Sequence, residues 1–310
     1  MRTLGRHLED YLKLRRRLGF QLRVQGILLR SFVRFAGRQR ASRLTTKLAL
    51  RWATLPCNIT QRQRAHRLGV VRQFAQYVSA IEPRTEVPAP KLIPWQFHRH
   101  EPFHYTDQEI LRLMDAGRQI APSHKIKGLT LGSLLGLLAV TGLRVGEALA
   151  LDRGDVDFGN ALLTIRRAKG NKSRLVALHP SAVRSLQGYA HSRDKIYPQP
   201  ISPGFFLWKG GSRLAHSVAY HWFVVAACQA GLWKTNDGHR PRLHDLRHYF
   251  AIRTLLNWYR CGADVEAHLP ELATFLGHVH VRDTYWYLSA VPELLKLATL
   301  RWERAEKGGK

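Results

Sequence analysis

The sequence predicts a mainly α-helical chain with a small β component, an α+β protein in two domains. Apolar residues recur at three-to-four spacing in the first hundred residues and again after residue 106. Only residues 161–178 alternate around a Gly-Asn turn in the manner of a hairpin. Between the two halves, Pro83 to Pro102 carries five prolines and little apolar periodicity, as an extended linker does. With 310 residues, 45% of them apolar, the chain can bury two cores. The expected boundaries are 1–83 for a basic helical domain, 84–103 for the linker and 104–310 for the second domain.

Lys and Arg number 49 against 22 Asp and Glu, a formal charge of +27, which calls for a polyanionic partner. Residues 1–100 hold 21 of the basic groups and 4 of the acidic ones, and no carboxylate occurs from Tyr11 to Ile81. Three scattered cysteines, Cys57, Cys228 and Cys261, exclude a disulfide framework and a CxxC-type zinc site, and fit a reducing cytosol. The N-terminal residues lack an apolar signal core. The most apolar window, Leu129 to Leu143, meets Arg144 and Glu147 before it could span a bilayer, so it reads as a buried helix and no membrane partner is expected.

In chain order, His7–Leu18 and Gln21–Gln39 read as helices, and Thr45 or Thr46 caps a short one through Leu55. From Thr60, the residues Leu68, Val71, Ala75 and Val78 line one face, while Arg62, Arg64 and Arg67 fill others. A solvated face normally mixes signs; this one does not, so these arginines are assigned to phosphate contact. Thr106-Asp-Gln-Glu109 is a capping box opening the second domain. Gly128–Leu151 reads as a long apolar helical region, and Pro180–Tyr189 and Leu214–Gly231 as further helices.

The polar residues set into this frame suggest anion chemistry. Thr141-Gly-Leu-Arg-Val-Gly-Glu147 places a charged pair in buried sequence, either an architectural ion pair or a guanidinium that Glu147 orients for phosphate. Lys169 and Lys172 fall at the hairpin tip, either as a soluble turn or as a mobile proton donor. His244, Arg247 and His248 stand at i, i+3 and i+4, which puts them on one helical face. His244 and His248 have zinc-ligand spacing, but Asp245, Leu246 and Arg247 stand between them where a zinc protease has its glutamate, and a guanidinium repels a cation. No metal is therefore expected, and His248 is read as structural. Tyr285 and Tyr287 point about 200° apart on a helix, so only one can face a common target.

Four ordered stretches, TGLRVGEALAL at 141–151, AKGNKSRLVAL at 168–178, LHDLRHYFA at 243–251 and LGHVHVRDTYWYL at 276–288, resemble the tyrosine recombinase, or phage-integrase, family. The resemblance covers roughly residues 104–306; the basic N-terminal half resembles the family's core-binding domain only in character and position. It implies a mostly helical catalytic domain with a small sheet, and site-specific DNA cleavage and rejoining through a covalent 3′-phosphotyrosine, without metal or cofactor. It further implies Tyr287 as nucleophile, Arg144 and Arg247 as a phosphate clamp, His244 and His278 as hydrogen-bond donors, and Lys169 as the acid for the leaving 5′ oxygen. Spacing from His278 matches the family at Tyr287; Tyr285 is assigned to packing and His280 to the surface. The implied partners are double-stranded DNA and, on two DNA sites, a homo-tetramer, with room for accessory recombination proteins, in the bacterial cytoplasm at the nucleoid. A type IB-like topoisomerase and a non-catalytic DNA-binding regulator remain as alternatives. Ser289 and Pro292 read as a helix start, with Leu294, Ala298 and Trp302 as a stripe that packs on its own domain or, as the resemblance implies, on a neighbour.

Overall fold

In the first hundred residues local capping chemistry starts two of the helices. The computed structural model, which describes residues 4–96, 101–120, 124–166, 173–233, 240–289 and 293–300, divides the chain into two compact units, residues 1–100 and 101–310. Unit 1 contains α1 (Leu4–Arg17), α2 (Arg23–Arg38), α3 (Thr46–Thr54) and α4 (Gln61–Ser79). The Thr45 side chain accepts the Leu48 amide at the start of α3, and Thr60 and Gln63 cap α4 reciprocally. Leu68, Val71, Ala75 and Val78 all face the core, as their spacing requires, and meet Leu12, Phe32, Trp52 and Phe74 there.

Unit 2 opens with α5 (Asp107–Gln119), whose Thr106–Glu109 capping box forms as the sequence predicts. Next comes α6 (Lys125–Thr141), apolar on every side and buried among its neighbours, as such a composition demands. The apolar region does not continue as one helix to Leu151. It breaks at Gly142, which adopts φ +60° with its amide on the Leu138 carbonyl, and restarts as α7 (Val145–Ala150) with Arg144 as the cap residue. Glycine is required at the break: a Cβ there would stand 2.6 Å from Phe250 and 2.8 Å from Leu276.

The hairpin forms as β2 (Leu162–Ile165) and β3 (Arg174–Ala177), paired antiparallel from Leu162 opposite Ala177 to Ile165 opposite Arg174. A two-residue strand β1 (Val156–Asp157), absent from the sequence reading, completes a sheet in the order β1-β2-β3. Helices α8 (Pro180–Ile196) and α9 (His216–Gln229) follow, α8 two turns longer than its apolar pattern suggests. Then come α10 (Asp245–Arg260) and α11 (Val265–Leu276), α12 (Arg282–Tyr285) and a 3-10 turn at Trp286–Ser289. A further helix covers 293–300. Its Leu294 is buried in a small core with Leu255, Leu269, Leu276 and Tyr287, and Glu293 pairs with Arg260 at 2.7 Å. The described start of that helix therefore packs on its own unit; Pro292, Trp302 and the Ser289 side chain lie outside the described residues. Among the described residues no helix is long and apolar enough to cross a membrane.

Candidate active site

The break at Gly142 and the C-terminus of α11 are drawn together by two arginines. Arg247, in the first turn of α10 and only 2% exposed, donates from Nη1 to the carbonyls of Gly142 at 2.9 Å and Leu276 at 2.8 Å. Arg144 donates from Nη2 to the Gly277 carbonyl at 2.9 Å and from Nη1 to Glu147 at 2.8 Å. The last carbonyls of a helix have no partner within it, and here they hold cations in place. Gly277, at φ +71°, ends α11, and the His278 amide folds back onto the Ala273 carbonyl, which turns the imidazole into the same region.

Glu147 anchors the arrangement from the other side. Its carboxylate accepts from Arg144 and from both terminal nitrogens of Arg174, at 3.2 and 2.8 Å, and it also takes the Arg144 amide. Burial opposes its ionisation, but the hydrogen bonds and charges of Arg174 and Arg144 outweigh that and hold its pKa below the ordinary carboxylate value. The Arg144–Glu147 pair is thus architectural and, at the same time, leaves the guanidinium partly accessible at 27% exposure.

At the N-terminus of α10, the fully buried Asp245 pairs with Arg242 at 3.0 Å and fixes the entry of the chain. His244 precedes it and Arg247 follows within one turn, on the shared face that the spacing predicts. His244 keeps contact with solvent. Crowding by protein atoms, helped by the charge of Arg247, nevertheless lowers its pKa, so it is neutral at pH 7. The His248 ring lies edge-on to His244, Trp286 and Tyr287, with centroids 5.1 to 5.4 Å apart, so it packs among aromatic rings.

Burial and the charges of Arg247 and Arg144 push His278 down to about 4. Its Nδ1 lies 2.7 Å from the hydroxyl of the fully buried Thr284, which leaves Nε2 for another partner. Tyr287 is 3% exposed, with its ring parallel to that of His278 at 6.1 Å. Its phenol acts on the Arg247 guanidinium, and burial, opposed by that phenol, lowers Arg247 to about 10. Apart from that contact with the Tyr287 phenol, the second terminal nitrogen of Arg247 is buried with no hydrogen-bond partner among the described residues. The arrangement offers two guanidiniums and two neutral imidazoles beside a phenol, a set suited to an anion that the phenol can attack.

Arg144, His244, Arg247, His278 and Tyr287 thus come together in unit 2. Lys169 and Lys172 lie outside the described residues. Tyr285 does not pack: it is 48% exposed, and the tyrosine enclosed by protein is Tyr287. His280 is exposed, as expected. In unit 1 the three arginines differ. Arg62 is exposed, 5.4 Å from the Trp95 ring centroid. Arg64 is half-buried, with a long 3.5 Å contact to the Cys57 carbonyl. Arg67 turns inward, 3.8 Å over the Trp52 ring and donating to the Trp52 carbonyl at 2.8 Å, so its guanidinium is engaged within the fold rather than presented to a phosphate. The sequence reading passed over Arg174 and Thr284. For Arg174 a signal existed, since it shares the inward register of β3 with Val176; nothing local marks Thr284.

Residues 104–293 match the model of the phage integrase family. The chain is 42% identical over 308 residues, 98% of each chain, to the putative integrase/recombinase y4rB of Sinorhizobium fredii. It is 30% identical to the tyrosine recombinase XerC of Chlamydia trachomatis, over 74% of this chain and 67% of that one. Among solved structures, the fold superposes with a TM-score of 0.65 on the Tn1549 transposon integrase in complex with transposon right end DNA, at 14% identity and over 98% and 99% of the two chains. The XerH site-specific recombinase bound to palindromic difH substrate gives 0.64 at 19% identity, over 96% and 84%. The chain belongs to the phage integrase family, that of the tyrosine recombinases.

Proposed function

We propose that this chain, a site-specific tyrosine recombinase, breaks and rejoins double-stranded DNA with Tyr287 as its nucleophile. The observation that carries this is the buried Arg247, which has one terminal nitrogen locked on two carbonyls and the other with no protein acceptor besides the Tyr287 phenol. A buried N–H without an acceptor costs about 1–3 kcal/mol, and a phosphate oxygen would relieve it. In the cleavage step the Tyr287 oxygen bonds to phosphorus and the bond to the 5′ oxygen breaks. Arg144 and Arg247 neutralise the non-bridging oxygens. His278, with Thr284 donating to its Nδ1, donates from Nε2 as charge builds. His244, neutral at pH 7, hydrogen-bonds the phosphate or accepts the phenol proton, and Lys169 protonates the departing oxygen. The phosphotyrosine retains the bond energy, so a 5′-hydroxyl from a second DNA end reverses the step without ATP.

The reading extends to a homo-tetramer on two DNA duplexes, with Arg62, Arg64 and Lys172 among the phosphate contacts and the basic residues 1–83 as a DNA-binding domain. The test is a nicked suicide duplex carrying the host joining site. The wild-type protein forms a covalent protein–DNA adduct and Tyr287→Phe forms none. An adduct from the Phe variant, or none from the wild type, overturns the assignment. Relaxation of supercoils without site dependence would mark a topoisomerase instead.

A further inference from the structure

Arg174 joins three parts of the site's frame. It opens β3, immediately after the hairpin tip in sequence, and its side chain is 13% exposed. Nη1 and Nη2 donate to the two oxygens of Glu147 at 3.2 and 2.8 Å, and Nε donates to the Phe275 carbonyl at 3.0 Å. The guanidinium also rests on Gly277. A Cβ there would stand 2.8 Å from Nη1 and 2.9 Å from Cζ, so the side chain occupies the room that glycine leaves. One residue thus touches the carboxylate that holds Arg144, the last turn of α11, and the glycine directly before His278.

The charge count gives this contact a consequence. Glu147 alone with Arg144 would make a neutral pair, and the guanidinium would bring little positive potential to an anion. Two guanidiniums on one carboxylate leave a net positive charge, and the fork geometry of Arg174 fixes the carboxylate so that Arg144 keeps one orientation. The Phe275 and Gly277 contacts set the turn from which His278 projects. Each Arg174 nitrogen is already bonded within the protein, on a side chain that is largely buried.

We propose that Arg174 is a positioning residue of strand transfer, acting on the scissile phosphate through Arg144 and His278 without touching it. This rests on the reading of the site given above. Small displacements of groups around a reacting centre cost up to about a hundredfold in rate, whereas binding of a long duplex rests mainly on many remote phosphate contacts. The two should therefore separate.

The test uses the full chain and the suicide duplex. Single-turnover adduct formation is measured for wild type, Arg174→Lys, Arg174→Ala, Glu147→Gln and the Arg174→Ala/Glu147→Gln double variant. DNA affinity is measured for each in a Tyr287→Phe background, with thermal melting alongside. Arg174→Ala should slow adduct formation about 10- to 100-fold while affinity changes less than about threefold. Arg174→Lys should recover only part of the rate, because an ammonium cannot span both carboxylate oxygens and the Phe275 carbonyl. The double variant should lose less than the product of the two single losses. Wild-type cleavage by Arg174→Ala, multiplicative losses in the double variant, or parallel falls in affinity and rate in Arg174→Lys would each overturn the proposal. If the wild type itself gives no adduct, the reading of the site fails first and this proposal falls with it.

Discussion

Arg67 and Arg247 are both helical arginines drawn in among protein atoms, and they end in opposite conditions. Arg67 lies over the Trp52 ring and bonds that residue's carbonyl from Nη2, while its buried Nε, set back along the side chain, has no hydrogen-bond partner among the described residues. Arg247 has two carbonyls on one terminal nitrogen and leaves the other, at the tip of the side chain, with no protein acceptor besides the Tyr287 phenol. In unit 1 a cation is made comfortable by an aromatic face where no carboxylate is near in sequence. In unit 2 a cation is held rigidly and left one bond short. An abundance of arginine therefore predicts a polyanion, but only the second condition predicts chemistry on it.

The sharpest way to break that comparison is Arg247→Lys. Lysine keeps the charge but cannot hold both carbonyls and a phosphate oxygen at once. Adduct formation should fall on the order of a hundredfold or more, since one such donor is worth about 3 kcal/mol in a transition state. Equilibrium binding of the duplex should change far less. A lysine variant that cleaves at the wild-type rate would mean that the second terminal nitrogen is incidental.

A smaller effect is expected in unit 1, where Arg62 and Arg67 should part ways. Arg67→Ala removes a stacked guanidinium and a carbonyl hydrogen bond, and should destabilise unit 1 by roughly 1–2 kcal/mol with little change in the salt dependence of DNA binding. Arg62→Ala should leave stability within about 0.5 kcal/mol and lower the slope of log affinity against log salt by about one. Urea unfolding and a salt titration of binding distinguish the two; the reverse pattern would return Arg67 to the DNA surface.

How much of this was legible in the sequence depended on the distance over which the deciding contacts act. The capping box at Thr106 and the shared face of His244 and Arg247 follow from spacings of three, which a helix converts directly into contact. The end of α6 at Gly142 was not legible, because Leu129–Leu143 reads as continuous apolar helix, and what uses the break is an arginine 105 residues away. Helix α11 escaped notice because Pro270 lies inside it. Arg174 meets Glu147 and Phe275 across separations of 27 and 101 residues, and Thr284 reaches His278 only because the intervening turn brings them together. Spacing showed that Tyr285 and Tyr287 face apart. Which of them is enclosed depended on the rings of His248 and His278, and the expectation that Tyr285 packs was reversed.

The smallest effect expected is a dependence of stability on pH, which tests whether burial together with the same two cations holds His278 neutral. An unfolded histidine takes up a proton near pH 6.5, whereas burial and the charges of Arg247 and Arg144 delay that uptake in the folded chain to about 4, against the weaker opposing pull of Asp283. Between those values the unfolded chain binds more protons, so stability must fall as pH falls. The contribution is fully present above about pH 6.5, declines through the window, and changes no further below about 4. His244, shifted in the same direction, adds to the slope. His278→Asn removes one titrating group, so the melting temperature should drop less between pH 7 and pH 4.5 in the variant than in the wild type, whatever its absolute value. A bound DNA phosphate would face the imidazole with negative charge and raise its pKa, so the wild-type slope should also flatten in complex with DNA. Equal slopes for wild type and variant would show that neither burial nor the charges of Arg247 and Arg144 shift His278, and would remove the electrostatic link between the clamp and the imidazole.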